Sequence, residues 1–446
     1  MHSEKEAKRL VEAVLRLSKA EQTEVTISST DAALTRFANN EIHQNVSERD
    51  VAVTVRAGIG KRYGIAGTND LSEAGLESAV HQALETAKAL PETECWLPLP
   101  QPGEVARLNA HAITTLEFGP MQRAAGVRLI CQKAREHGLS AAGAFRVDNL
   151  GLTIANSHGL FAHRVTTTAE LLAVVSGSDS SGHSGRLAVN VDEIDPEAVA
   201  DEAIGKAVQG RNPRRIEPGD YEVVLEHYAV SDILDFLGFV TFGALNVQEG
   251  RSAMSGRIGE RIMGSNVSIA DDPLNPSGVV RAFDYEGVGA RRVGIIERGI
   301  AASPVYDRRT ALKEERESTG HGLPQVYSTF GPMPTNLFME PGDASHADLI
   351  GSVKRGILVT RFWYTRVVHP LTVHMTGMTR DGAFLIENGE IAAPVKNLRF
   401  TQSYIEALNQ VAKIGRERRL VKEMLSFNMV PALKVNGWHF TGVTEY

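Results

Sequence analysis

The sequence predicts an α+β fold. A helix-plus-antiparallel-strand unit occurs twice in the N-terminal part, and a mostly-β, barrel-like domain with a few helices follows. Three observations predict it. The order helix, strands, helix repeats within residues 1–210; a break rich in Gly, Pro and Arg covers 209–218; and beyond it short strand-like alternations outnumber helical periodicities. These place an N-terminal domain at 1–210, with units at about 1–90 and 118–210, and a C-terminal domain at 217–446.

The first unit opens on a helix over 4–18, where Ala7, Leu10, Val11, Val14 and Leu15 recur at helical spacing. Strands over 24–28, 33–37, 42–56 and 61–66 alternate apolar with polar residues, and Asn39-Asn40 and Gly58-Ile59-Gly60 suit hairpin turns. The Gly58-x-Gly60-x-x-x-Gly64 run precedes a strand rather than a helix, so it reads as a hairpin and not as a phosphate cradle. Asp70 or Ser72 caps a second helix reaching about residue 89, and Pro91 ends it. The second unit repeats this order, with a helix over 121–137 stopped by Gly138, strands over 141–148, 152–155, 161–175 and 186–191, and a closing helix over 196–208 opened by Asp195-Pro196. Phe37-Ala38-Asn39-Asn40 matches Ile154-Ala155-Asn156-Ser157, and a long strand follows each, which supports duplication. Pro98, Pro100 and Pro102 make 92–108 a linker.

In the C-terminal part, strands are expected over 267–270, 279–283, 292–296, 300–302, 356–363, 383–387 and 390–394, with turns at Asp381-Gly382 and Asn388-Gly389. A helix is expected over 401–420, capped by Thr401. The basic run 416–422, interleaved with Glu417 and followed by Glu423, reads as a solvated face of that helix.

A net charge of -7 over 446 residues argues against a nucleic-acid or anionic-membrane binder, since such proteins carry a basic face that releases counterions. Cys95 and Cys131 have no CxxC spacing, which points to a reducing cytoplasm. Residues 1–19 are charged and helical in period, with no apolar signal core. The longest apolar stretch, 233–245, is interrupted by Asp235 and is shorter than the ~20 residues that span a bilayer.

Residues 220–260 carry the most information about function. A short strand over 221–225 leads into an apolar run over 227–245, which closes on Asn246, Gly250 and Gly256-Arg257-Ile258-Gly259-Glu260. Further on come Asp284-Tyr285-Glu286-Gly287, Arg291-Arg292, Glu317-Ser318-Thr319-Gly320-His321-Gly322, Asn336-Leu337-Phe338-Met339-Glu340-Pro341-Gly342 and Met375-Thr376-Gly377. Together these segments resemble the TldD/TldE (PmbA) peptidase family, whose older label is modulator of DNA gyrase. The Ser-Thr-Gly-His is similar to that of the TldE/PmbA branch.

In TldD-type members a similar strand is followed, after nine residues, by a zinc-binding His-Glu-x-x-x-His, with a Cys ligand further downstream. Laid without gaps on this chain, the motif falls on Asp235-Phe236-Leu237-Gly238-Phe239-Val240, and no Cys follows Cys131. A catalytic zinc needs about three His, Cys or carboxylate ligands, a water and a base. Phe236 cannot be the base and Val240 cannot coordinate, so 233–242 reads as a buried helix.

The resemblance implies a non-catalytic subunit of a two-component cytoplasmic metallopeptidase acting on unfolded polypeptides or leader peptides. The zinc is expected in a TldD-like partner, with no cofactor in this chain. The subunit could pair with that partner or with itself. Ser318, Thr319, His321, Asn336, Thr376 and Arg380 are groove candidates, where main-chain pairing holds an extended peptide. Two rivals stand beside this reading. One is a self-sufficient peptidase using His321, His369 and His374, or Ser318 or Thr319 with His321, although no acid at a suggestive position orients that histidine. The other is a homodimeric peptide-binding protein without activity. His369 and His374 flank Pro370, a spacing that puts them on opposite faces of a strand.

Overall fold

The computed structural model describes residues 3–93, 96–108 and 110–444. Cys95, one of the two cysteines, lies outside the described residues.

The N-terminal sheet is one ladder shared by two units, each with its own core under its helices. The first unit comprises α1 (Glu4–Leu17), β1 (Gln22–Ala38), β2 (Glu41–Ile59), β3 (Arg62–Thr68) and α2 (Glu73–Ala89). After a one-turn helix α3 (Ile113–Leu116), the second comprises α4 (Pro120–Glu136), β4 (Ser140–Asn156), β5 (Phe161–Ser176), β6 (Ser181–Ala188) and α5 (Pro196–Gln209). The sheet order β3-β2-β1-β4-β5-β6 is antiparallel, and the units join back to back through β1 and β4.

Local chemistry sets these boundaries. Ser3 caps α1 in a reciprocal box with Glu6, and Ser72, not Asp70, caps α2 by accepting from the Gly75 amide. Asn39 and Asn40, both with positive φ (52° and 62°), turn β1 into β2. The strands expected separately over 24–28 and 33–37 are one continuous β1, and those over 141–148 and 152–155 are one continuous β4. Pairing along the full length of the β1–β4 seam overrides the polar interruptions that suggested turns.

Both units pack a glycine of their last strand directly under their closing helix. A Cβ added to Gly64 would lie 1.9 Å from the Ala83 carbonyl, and one added to Gly182 would lie 2.1 Å from the Ala203 carbonyl.

The C-terminal sheet has eleven strands. Its elements run β7 (Gly219–Leu225), α6 (His227–Val240), α7 (Ala244–Gln248), β8 (Ile269–Asp271), β9 (Val293–Glu297), β10 (Ile300–Ala301), α8 (Arg308–Lys313), β11 (Asn336–Met339), α9 (His346–Gly351), β12 (Arg355–His369), β13 (His374–Glu387), β14 (Glu390–Pro394), β15 (Leu398–Ser403), α10 (Tyr404–Asn409), β16 (Val411–Lys422) and β17 (Phe427–Val443). β7 pairs in parallel with β12 and antiparallel with β17, so β7-β12-β13-β15-β17 returns on itself as a nearly closed ring. Phe362, Phe400 and Trp438 fill its interior, with Phe362 and Trp438 stacked at 4.9 Å between centroids.

Four sequence expectations for this half are corrected. The helix over 401–420 is instead the end of β15, the short α10 capped by Ser403, and strand β16. The register of β16 on β17 slips between Ile414 and Arg418, and that irregularity gave the apolar residues a helix-like spacing. The basic run 416–422 is therefore a strand, and Arg419 within it pairs with Glu202 at 3.0 Å instead of facing solvent. Asp381-Gly382 is not a turn but a bulge inside β13, two residues facing Thr360 alone. Residues 279–283 form no strand, because the amide of Arg281 donates to Pro273 and only Phe283 bridges to Gly289. No helix among the described residues is long and apolar enough to cross a membrane.

Replacing Gly64 or Gly182 by Ala should cost about 1–3 kcal/mol each, because the helix backbone must move to admit a methyl group. Denaturant unfolding measures this, and an unchanged midpoint in both variants would contradict the close helix–strand contact.

Candidate functional site

Helix α6 places the segment where the zinc motif would fall. Ile233, Leu234 and Leu237 are fully buried in the main core, and Val240 is buried at the helix end. Asp235 Oδ1 accepts from Ser426 Oγ at 2.6 Å and from the Leu425 amide at 3.3 Å. Burial pushes its carboxyl above the ordinary range, and the Ser426 and Leu425 donors only partly offset that. Phe236 packs partly buried against the core, and Phe239 meets Phe330 with ring centroids 5.9 Å apart. Asn246 closes the helix by donating to the Phe239 carbonyl. The one residue of the motif positions with a ligating atom is thus engaged by two donors, and Phe236 and Val240 have none to offer. The residues present do not fit a catalytic zinc at this position. Among the described residues, no three His, Cys, Asp or Glu side chains gather so as to hold a metal ion.

A second acidic side chain of α6, Asp232, was not singled out from sequence, although an Asp at helical spacing from Asp235 in an apolar run is a readable signal. Its Oδ1 accepts from the Tyr404 hydroxyl at 2.7 Å. Burial raises its carboxyl to about 7 in spite of the Tyr404 hydrogen bond.

The Ser318-Thr319-Gly320-His321 loop is held by an acid that sequence reading did not find. His321 Nε2 lies 2.7 Å from Asp271 Oδ2, with both side chains fully buried. Asp271 Oδ1 accepts from the Asn336 amide at 2.6 Å, and His321 Nδ1 faces Thr319 Oγ1 at 2.8 Å and the Thr319 carbonyl at 2.9 Å. The expectation that no acid orients His321 is corrected: Asp271 does so from β8, far away in sequence. The arrangement is nevertheless closed. Thr319 Oγ1 also accepts from the Tyr306 amide at 2.7 Å and contacts the Tyr306 carbonyl at 3.0 Å, and Ser318 Oγ donates to that same carbonyl. Its buried hydroxyl and doubly engaged ring make Asp271, His321 and Thr319 a clamp joining β8, β11 and the loop, not an open nucleophile and base.

Next to the clamp, Asp284 accepts from the amides of Glu286, Val288 and Gly322. Glu286 accepts from the Arg308 amide, and burial together with Asp284 and Asp307 raises its carboxyl to about 8. Glu286 borders a cleft of about 500 Å3 between the N-terminal sheet and the loop, whose other walls include Glu24, Arg56, Asp307, Gly322 and Val326.

Of the groove candidates, Ser318, Thr319, His321 and Asn336 come together at this clamp. Thr376 and Arg380 do not join them. Thr376 donates to the Phe400 carbonyl within the ring, and Arg380 lies over Trp363 and lines a separate cavity with Asp381 and Ser181. His369 and His374 are cross-strand partners at the tip of the β12–β13 hairpin, bridged by Thr372 Oγ1 at 3.1 and 2.7 Å. They sit neither on opposite faces of one strand nor in a metal-holding group with His321, because Pro370 lies in the hairpin turn.

A family model for the PmbA/TldA metallopeptidase C-terminal domain matches residues 218–442, and one for PmbA/TldA metallopeptidase domain 1 matches residues 23–87. A metalloprotease of Methanothermobacter thermautotrophicus is 29% identical over 178 residues, covering 39% of this chain and 38% of that protein. A metalloprotease TldD homolog of Haemophilus influenzae is 31% identical over 201 residues, 44% of this chain and 39% of its own length. The chain thus spans well under half the length of these curated relatives. Among solved structures, TldE from Thermococcus kodakarensis superposes with a TM-score of 0.90 at 21% identity, over 98% of this chain and 100% of that one. A protein from Thermotoga maritima described as a candidate modulator of a DNA gyrase gives 0.88 at 20% identity, with 98% and 100% covered. At these identities the structural likeness establishes the fold.

Removing one partner of the clamp should be costly. His321→Ala leaves the Asp271 carboxylate buried and unpaired, a loss of about 3–5 kcal/mol. Burial alone would raise the Asp271 carboxyl, but His321 and Arg281 outweigh it and hold it below 3.8. The contribution of the pair is therefore present above that value and is lost as pH falls through the lower folded value. Unfolding of the variant should show a deficit that shrinks toward acid pH; a deficit independent of pH would count against the pair. Asp232 has the opposite sign. Its folded value of about 7 exceeds 3.8, so its contribution is full below 3.8 and is lost as pH rises through about 7. Asp232→Asn should flatten that part of the stability profile, and an unchanged slope would contradict the assignment.

Proposed function

The chain belongs to the PmbA/TldD metallopeptidase family, and we propose that within it the chain acts as a non-catalytic, TldE/PmbA-like subunit of a two-component cytoplasmic peptidase. The observation that carries this reading is the composition of α6. Where the family's motif has two histidines and a glutamate, this chain has Asp235, Phe236 and Val240, and the carboxyl of Asp235 is taken up by Ser426 and Leu425. A zinc-activated water and its base then belong to a TldD-like partner carrying the intact motif.

This chain's contribution is structural and substrate-directed. The clamp of Asp271, His321 and Thr319 holds the loop that borders the cleft by Glu286 and Val326, and the exposed Val326, Tyr327 and Phe330 form an apolar lip beside Phe239. Such a cleft suits an extended, unfolded polypeptide or leader peptide held through main-chain hydrogen bonds and apolar contacts.

Reconstitution tests the reading. The purified chain should not cleave an unfolded protein by itself, should form a stable complex with a TldD-like chain from the same genome, and should raise or enable cleavage by that chain. Cleavage by this chain alone would support a self-sufficient peptidase. Failure to bind the TldD-like chain at micromolar concentration, with no effect on its activity, would support the homodimeric peptide-binding alternative.

A further inference from the structure

Between β6 of the N-terminal sheet and the first half of α6 lies a cavity of about 140 Å3 that the reading above does not use. Its walls include three carboxyl side chains, Glu170 of β5, Asp232 of α6 and Glu423 just after β16, and the aromatic rings of Tyr228 and Phe362. Every cation in the walls is already answered by an acid. Arg361 Nε donates to Asp381 at 2.7 Å, Arg186 pairs with Glu202 at 2.9 Å, and Lys422 lies 3.5 Å from Glu170. Asp232 and Glu423 form no ion pair among the described residues, and Asp232 accepts from the Tyr404 hydroxyl. The cavity thus has two acids with no direct ion-pair partner, although the Arg361 guanidinium lies near enough to act on Glu423.

A second, independent observation comes from the opposite wall. His183 of β6 lines the same cavity and is 4% exposed, and its Nδ1 has no hydrogen-bond partner. A buried ring nitrogen without a partner costs free energy unless a ligand or water completes it. Its ring meets Tyr228 edge-on at 4.6 Å, which fixes the imidazole beside the aromatic wall.

We propose that this cavity binds a small organic cation with N–H donors, a guanidinium or primary ammonium of the kind at the end of an arginine or lysine side chain. The donors would be shared by the Asp232 and Glu423 carboxylates and the His183 nitrogen, with the planar or methylene part against Tyr228 and Phe362. The volume is close to the ~150 Å3 of an engineered cavity that holds benzene, which admits one such group and little more. The empty state is consistent with this. Burial, with Asp232 and Asp235 nearby, raises the Glu423 carboxyl well above its ordinary range, and burial with Arg361 lowers His183 to about 3, so the ring is neutral and its free nitrogen can accept. A bound cation favours the ionised carboxylates, so binding expels a proton.

Isothermal titration of the full chain with ethylguanidinium tests this. Saturable binding is expected, accompanied by proton release when buffers of different ionisation heat are compared. Affinity should rise by up to about tenfold between pH 6 and pH 7. Ethylurea, the neutral analogue, should not bind. Asp232→Asn and Glu423→Gln should each weaken binding at least tenfold, and their unfolding midpoints establish that they fold. An acetylated, amidated Gly-Arg-Gly peptide that binds more tightly assigns the cation to a polypeptide side chain; weaker binding than ethylguanidinium assigns it to a free small molecule. Equal binding of ethylurea, or binding unchanged in both folded variants, overturns the proposal. Because no partner chain or peptidase activity enters the measurement, its failure is distinct from a failure of the subunit assignment.

Discussion

The C-terminal half is organised around a helix that carries acidic side chains into the core. In α6, Asp232 and Asp235 lie among Ile233, Leu234 and Leu237, which are fully buried. An ionised carboxylate in such surroundings is costly, so the fold either supplies donors or leaves the group neutral. Both devices appear. Tyr404 from α10 reaches Asp232, and Ser426 with the Leu425 amide reaches Asp235 from the turn between β16 and β17. Each acid thereby pins α6 to a segment far along the chain, and the helix works as a strut between the strands of the ring.

A polar network continues this strut toward the N-terminal sheet. Glu202 of α5 receives Arg186, Lys206 and Arg419, while Lys206 also reaches Glu226 at the start of α6. Burial alone would raise the Glu202 carboxyl, but these cations hold it well below the carboxylate range. The Tyr228 hydroxyl joins in, receiving the Gly185 amide and Arg419. The helix that holds the altered motif thus joins, through Glu226 and Tyr228, a seam at which β6 and α5 of the N-terminal half meet β13 and β16 of the ring.

What the sequence disclosed depended on how local the determining physics is. The duplicated units, the hairpins at Asn39-Asn40 and Gly58-Ile59-Gly60, and the burial of α6 follow from residue spacing and turn chemistry, and the structure has all of them. Residues 401–420 went wrong because the slipped register of β16 against β17 spaces apolar residues as a helix does, and only the partner strand reveals it. Asp381-Gly382 has the composition of a turn yet serves as a bulge opposite Thr360, a choice made by the neighbouring strand. The geometry around the candidate residues was not legible in the sequence. The residues at positions 235, 236 and 240 can be read in one dimension, whereas Asp271 and His321, 50 residues apart, meet only in the folded chain. Thr376 and Arg380 were grouped with that loop through family resemblance, and the ring places them on another face.

In the proposed subunit role this chain carries no catalytic metal of its own. Native mass spectrometry of the isolated chain, equilibrated with excess zinc and then desalted, measures this directly. The account predicts the mass of the polypeptide alone. One zinc per chain, retained through desalting and lost on His321→Ala, would contradict it.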